Sequence, residues 1–145
     1  MKNKLTRVWA AAWLLSAVFF SQASAAELAV IVHPANSLTK ISKSEVSDIY
    51  LGRAEEFANG AAVEPLDQIS QSPMRRQFLK AVLGMDEGAL KNHWSKLMFS
   101  GRGQPPEMLR DDAAVKAAVA ANPRGIGYID SSAVDESVKV LLLVP

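Results

Sequence analysis

Asp67-Gln-Ile-Ser-Gln-Ser-Pro-Met-Arg-Arg-Gln-Phe-Leu-Lys-Ala-Val-Leu-Gly84 is the stretch on which the reading of this chain turns. It comes after a short apolar segment ending in Pro65-Leu66, and its order predicts a strand end, a polar turn and then a helix. Ser72 stands at the N-cap with Pro73 in the first helical position, where a missing N–H costs nothing because that group has no helical partner. Met74, Phe78, Val82 and Leu83 recur at helical spacing, and Gly84 occupies the left-handed terminating position. The first turn therefore carries free backbone N–H groups, a hydroxyl and two arginines, Arg75 and Arg76. Those are the ingredients of an anion site, since the helix N-terminus favours negative charge and Arg grips an oxyanion with two parallel hydrogen bonds. The plain alternative is a capped amphipathic helix whose arginines face water.

Working outward, Glu27 to Val32 is a continuous apolar run, the pattern of a strand covered on both faces. His33-Pro34-Ala35-Asn36-Ser37 breaks it, and a loop at a strand's carboxyl end makes Asn36 and Ser37 candidates for ligand contact. They read equally as turn residues bonding their own backbone. Ser42-Lys43-Ser44-Glu45 is a capping box opening a helix from about Ser42 to Leu51, terminated by Gly52. Asn59-Gly60 predicts a turn into a strand over Ala62 to Leu66.

Beyond the quoted stretch, Asp86 caps a helix with Leu90, Trp94, Leu97 and Met98 on its apolar side. His93 beside that side has no second histidine or carboxylate at ligand spacing, so packing is the reading for it. Phe99 to Pro106 is irregular, with Arg102 at the tip of a loop and able to reach an anion. Its G-x-G is no nucleotide fingerprint, because no strand precedes it and no helix opens from it. Asp111 or Asp112 caps a helix through Ala121, Asn122-Pro123-Arg124-Gly125 stops it, and Ile126 to Ile129 and Val138 to Val144 are two more strands. Gly127 in the first of these allows a close backbone approach. The sum is a mixed α/β domain with four or five strands and helices on both faces.

The N-terminus reads as an export signal: Lys2, Lys4 and Arg7, an apolar run from Val8 to Phe20, and Ala23-Ser24-Ala25 as a cleavage pattern. Cleavage after Ala25 leaves 120 of the 145 residues, one domain in size. An uncleaved anchor is the alternative; after cleavage nothing is left to insert into a membrane. Removing Lys2, Lys4 and Arg7 from the 16 Lys plus Arg leaves 13 against 15 Asp plus Glu, a net charge of −2. That argues against a general nucleic-acid binder and makes any anion affinity local. The chain has no cysteine, which excludes a disulfide framework, thiolate metal sites and a lipid attachment residue after the apolar run. Enzyme readings lack support: there is no G-x-S-x-G, no paired histidines, and the carboxylates sit at capping positions.

L-A-V-I-V-H-P-A-N-S-L, the helix ending D-I-Y-L-G, the S-x-x-R-x-x-F helix start at Ser72 and P-R-G-I-G-Y-I, in that order, resemble the phosphate-binding periplasmic proteins of ABC transporters. The resemblance covers nearly all of residues 26–145. It implies one α/β lobe of a fold in which two lobes close over an anion. It also implies an exported, periplasmic or secreted, phosphate or other oxyanion binding protein that needs no cofactor. Its implied partners are the anion and an ABC permease or another envelope protein, with self-association an open possibility. Ser72 matches a ligand serine and Arg75 an arginine three positions later. Pro73 stands where the family has glycine, and Met74 where it has a ligand threonine, which removes an N–H and a hydroxyl. Gln68 and Ser70 stand where a basic and an acidic residue are common. The expected anion ligands are Ser72, Arg75, Arg76, Ser70 and Arg102. The alternative is an interaction or structural module that kept the lobe and lost the pocket.

Overall fold

The computed structural model describes residues 26–145, so the export signal lies outside the described residues. Strand β1 is Leu28–Val32, and all five of its residues are buried because successive side chains point to opposite, equally covered faces of the sheet. Helix α1 (Lys43–Tyr50) begins at the predicted capping box: Ser42 Oγ accepts from the Glu45 N–H, and Glu45 Oε2 accepts from the Ser42 N–H at 2.8 Å. Strand β2 is Glu64–Gln68. Helix α2 covers Pro73–Phe78 and runs on as a π-helical turn over Leu79–Leu83, ended by Gly84 at φ 62°. Helix α3 is Glu87–Phe99, capped by Asp86, and α4 is Asp112–Ala121, capped by Asp111. Between them lies a short strand β3, Glu107–Leu109. Strand β4 (Gly125–Asp130) and strand β5 (Lys139–Val144) complete the chain.

The five strands lie in the order β3-β2-β4-β1-β5. The sheet is mixed: β1 runs antiparallel to β4 and β5, and β2 runs parallel to β3 and β4. Leu28, Val30 and Val32 pack with Tyr50, Phe78 and Tyr128 under α1 and α2. Ala29 and Ile31 pack with Val115 and Val119 of α4 on the other side. This is the α/β layer expected from the apolar run of β1, with helices on both faces. A third small cluster seats α3 through Leu90 and Trp94 against Leu51 and Leu79.

Two expectations need correction. Strand β2 does not stop at Leu66 but continues through Asp67 and Gln68, because both polar side chains find partners inside the domain. The irregular stretch read from Phe99 to Pro106 loses Phe99 to α3, and the residues directly after it, for which no element was expected, form β3: Glu107, Met108 and Leu109 pair with Leu66, Asp67 and Gln68. Three residues directly after two prolines are too short to show a strand period.

The backbone ladder between β2 and β4 is short, pairing only Glu64 with Gly125 and Pro65 with Ile126. Beyond it side chains hold the two strands: Tyr50 donates its hydroxyl to the Leu66 carbonyl at 2.9 Å, and Gln68 Nε2 donates to the Tyr128 carbonyl at 2.9 Å.

Gly127 is where α4 meets the sheet. A Cβ added there would lie 2.5 Å from Val115 Cγ1 and 3.2 Å from Val119 Cγ2. The helix sits this low only because β4 has no side chain at that point. Gly127→Ala should therefore cost about 1–3 kcal/mol in urea unfolding, the usual penalty of overpacking. An unchanged midpoint would show that α4 rides higher than described.

Candidate functional site

The residues expected to gather around an anion start from the turn between β2 and α2. Ser72 Oγ accepts the Arg75 N–H at 3.3 Å, the N-cap bond, and donates its own proton to Gln68 Oε1 at 2.5 Å. Gln68 is 1% exposed, and its Nε2 donates onward to Asp112 Oδ1 at 2.7 Å. So the position where a basic residue is common in the resembling family holds a neutral amide bonded on both sides.

Arg75 is the centre of the arrangement. Its side chain is 3% exposed, and Nη1 donates to Asp67 Oδ2 and to the Gln68 carbonyl, the latter at 3.2 Å. Glu87, in the first turn of α3, takes the other edge of the guanidinium in a two-point grip: Nε to Oε1 at 2.7 Å and Nη2 to Oε2 at 3.1 Å. Burial alone would lower the Arg75 pKa. Hydrogen bonds to Glu87 and Asp67 outweigh it and carry the net shift upward, so the cation is permanent. The Asp67 Oδ1 atom accepts from the Tyr128 hydroxyl and from the Gln68 N–H, the latter at 2.8 Å. Tyr128 is stacked on Phe78, ring centroids 4.0 Å apart.

The five expected ligands do not converge. Ser72 borders a concavity of about 620 Å³ between the starts of α2 and α4. Arg75 and Ser70 border a different groove of about 520 Å³ between α3 and β3. Arg76 lies exposed beside a third hollow, its Nη1 donating to the Gln71 carbonyl at 3.3 Å, and Arg102 borders a fourth. The Ser72 concavity is also lined by Asp111, Asp112 and Asp130, with Arg110 its one cation. Arg110 stands 3.6 Å from Asp111. Three carboxylates against one guanidinium oppose a further negative charge there.

Among the weaker candidates, Asn36 turns on itself, its Oδ1 accepting the Leu38 N–H at 3.0 Å. Ser37 Oγ accepts from Asn59 Nδ2 at 2.8 Å. His33 Nδ1 accepts the Ala35 N–H at 3.0 Å, another bond within the turn. His93 packs edge-on against Trp94 with Nε2 2.8 Å from the Leu51 carbonyl. Among the described residues, no group of three or more His, Cys, Asp or Glu could hold a metal ion. Sequence reasoning missed Asp67 and Glu87 as partners of Arg75. Asp67 lies on β2, Arg75 on α2 and Glu87 on α3, so no period within one element relates them and only the tertiary arrangement reveals them.

Two measurements test this network. Asp67→Ala leaves a buried guanidinium short of its inner partner and should lower stability by about 3–5 kcal/mol in urea unfolding. Glu87→Ala, at a position whose side chain is 45% exposed, should cost only about 1 kcal/mol. Equal losses would contradict the assignment of Asp67 as the stronger partner.

The chain has two tyrosines, and burial pushes both phenols upward, Tyr50 with help from Tyr128 and Asp67, Tyr128 with help from Asp67. Because the folded pKa lies above the unfolded one, this contribution to stability is intact below about pH 10 and is lost as pH rises further. Absorbance near the phenolate band should show no ionised tyrosine until the chain unfolds. A titration near pH 10 in the folded protein, about the value of a free phenol, would contradict the described burial.

No family model matches the chain, and no curated protein matches it. Solved structures do. A protein from Clostridium perfringens described as a phosphate ABC transporter substrate-binding protein, with phosphate bound, matches 80% of this chain and 45% of its own at 23% identity and a TM-score of 0.64. An ABC-type phosphate transport receptor from Vibrio cholerae matches 80% and 46% at 20% identity, TM-score 0.63. PstS from Borrelia burgdorferi matches 80% and 47% at 14% identity, TM-score 0.60. The chain thus spans less than half the length of each of these structures. At this identity the likeness is one of fold, and the chain has the architecture of a single lobe of a periplasmic-binding-protein-like domain.

Proposed function

We propose that this chain is an exported recognition module of the phosphate-receptor type, binding without bond making, whose deep oxyanion seat is filled by its own groups. Its function then runs through contact with another envelope protein. The observation that carries this reading is the state of Arg75. The arginine that an oxyanion would grip is already gripped at two edges, by Asp67 inside and by Glu87 outside. An incoming phosphate would have to displace a carboxylate from a guanidinium that is almost fully desolvated, next to a second carboxylate that stays. Pro73 and Met74 supply neither the N–H nor the hydroxyl that would repay this.

A second reading keeps capture of a small oxyanion, phosphate first, at Ser72, Arg75, Arg76, Ser70 and Arg102, with an ABC permease as the receiving partner. What supports it is the fold likeness to phosphate transport receptors, one of them with phosphate bound. Under this reading a second lobe, from another chain or another copy, would have to complete the seat, since charge pairs in a half-solvated site are worth little.

Thermal unfolding with and without phosphate separates the two. A site with a Kd of about 10 μM would gain roughly 2.7 kcal/mol at about 1 mM phosphate. For a domain of this size that is a rise of roughly 10 °C. The first reading predicts no rise with phosphate or sulfate. A saturable rise that Arg76→Ala, Ser70→Ala or Arg102→Ala reduces would overturn it in favour of capture.

A further inference from the structure

We infer that Asn59 is a site of spontaneous covalent modification, deamidation to aspartate and isoaspartate, and that its hydrogen bond to Ser37 restrains the reaction. The chemistry depends on the residue that follows an asparagine. The backbone nitrogen of Gly60 attacks Asn59 Cγ, the bond from Cγ to Nδ2 breaks, and ammonia leaves with the proton of the attacking N–H. Water then opens the cyclic imide at either of its two carbonyls, giving an aspartyl or an isoaspartyl link. Water is the sole co-reactant, and nothing is oxidised or reduced.

Residues 26–145 contain four asparagines, Asn36, Asn59, Asn92 and Asn122, and their surroundings separate them. Asn122 precedes Pro123, which has no N–H to give up. Asn92 lies inside α3, where the His93 nitrogen is committed to the helical ladder. Asn36 is 8% exposed and is followed by Ser37, whose side chain crowds the nitrogen behind it. Asn59 alone is exposed, lies in a turn, and is followed by glycine, whose nitrogen no side chain shields. Gly60 has φ 82°, and around the place where a Cβ would stand no group other than its chain neighbours comes within 4 Å. Water therefore has free access to the reacting atoms.

The folded turn engages both reacting groups. Asn59 Nδ2, the leaving nitrogen, donates to Ser37 Oγ at 2.8 Å, and Oδ1 accepts the Ala61 N–H at 3.1 Å, so the amide is held at both ends. The attacking Gly60 N–H donates to the Phe57 carbonyl at 2.8 Å. The bonds to Phe57 and Ala61 lie within the turn and move with it, whereas the bond to Ser37 anchors the tip from outside. Reaction would cost the chain this anchor, because Nδ2 is its donor. An isoaspartyl link also adds one carbon to the backbone between Phe57 and Ala61, whose N–H to carbonyl bond of 2.8 Å closes the turn under the buried Phe57 ring. The new carboxylate joins a turn that already carries Glu55 and Glu56. The site is separate from the Ser72 region and does not depend on either reading of the lobe's function.

Incubation of the folded protein in mildly alkaline buffer made with heavy-oxygen water, followed by peptide mass mapping, tests this. Each conversion loses one nitrogen and takes up one solvent oxygen. The label should enter the peptide that holds Asn59 before those that hold Asn36, Asn92 or Asn122, and a more acidic charge variant should accumulate with it. Ser37→Ala should speed the conversion by roughly fivefold, the weight of one neutral hydrogen bond, with an unchanged circular dichroism spectrum. Ser37→Thr, which keeps the hydroxyl, should react at the wild-type rate. First conversion at another asparagine, or equal rates in wild type and Ser37→Ala, would overturn the proposal.

Discussion

The buried pair of Asp67 and Arg75 is the constraint on which the rest of the domain's functional end depends. A carboxylate at the end of a central strand and a guanidinium in the first turn of the next helix are each too costly to bury alone. Facing each other, with Tyr128 donating to the second carboxylate oxygen, they become tolerable inside the domain. The pair ties β2 to α2, and Tyr128 extends the tie to β4. Glu87 extends it to α3. Four elements are thereby fixed around one charge, beyond the point where the backbone ladder between β2 and β4 ends.

The same constraint decides what this end of the lobe can bind. Hydrogen-bond donors aimed at solvent make an anion site, and donors aimed at internal acceptors make a joint. Ser72 and Arg75 are aimed inward, the first at Gln68 and the second at Asp67 and Glu87. The aspartates at the start of α4 add negative charge to the concavity that Ser72 still borders. The sheet, the helices and the capping serine of a single lobe are thus all present, while Ser72 and Arg75 are bonded by groups of the chain itself.

Much of the fold was legible in the sequence because it is written locally. The apolar run of β1, the capping box at Ser42, the Asp caps at Asp86 and Asp111, and the glycines at 84 and 127 each announce their conformation within a few residues. The end of β2 was not legible: Asp67 and Gln68 are turn-like by composition and strand by circumstance, since what makes them strand is Arg75, Tyr128 and Asp112. The short strand β3 carried too few residues to show a period. The candidate site was legible as a set of residue types and not as an arrangement. Arg75 was read by its place in a first turn, facing an imagined anion, while its actual partners lie at separations no local rule covers. Phe99 was read as part of an irregular loop, whereas α3 runs on to include it and Gly101 turns the chain back only after that.

The most direct test of the central claim is the Arg75 side-chain Nε–H resonance in a nitrogen–proton correlation spectrum, recorded while phosphate is added. An Nε–H held by Glu87 and closed off from water should be visible, slow to exchange with solvent, and unmoved by phosphate. A shift of that resonance that saturates with phosphate would contradict the account, because it would mean that the anion, and not the chain's own carboxylates, owns the guanidinium.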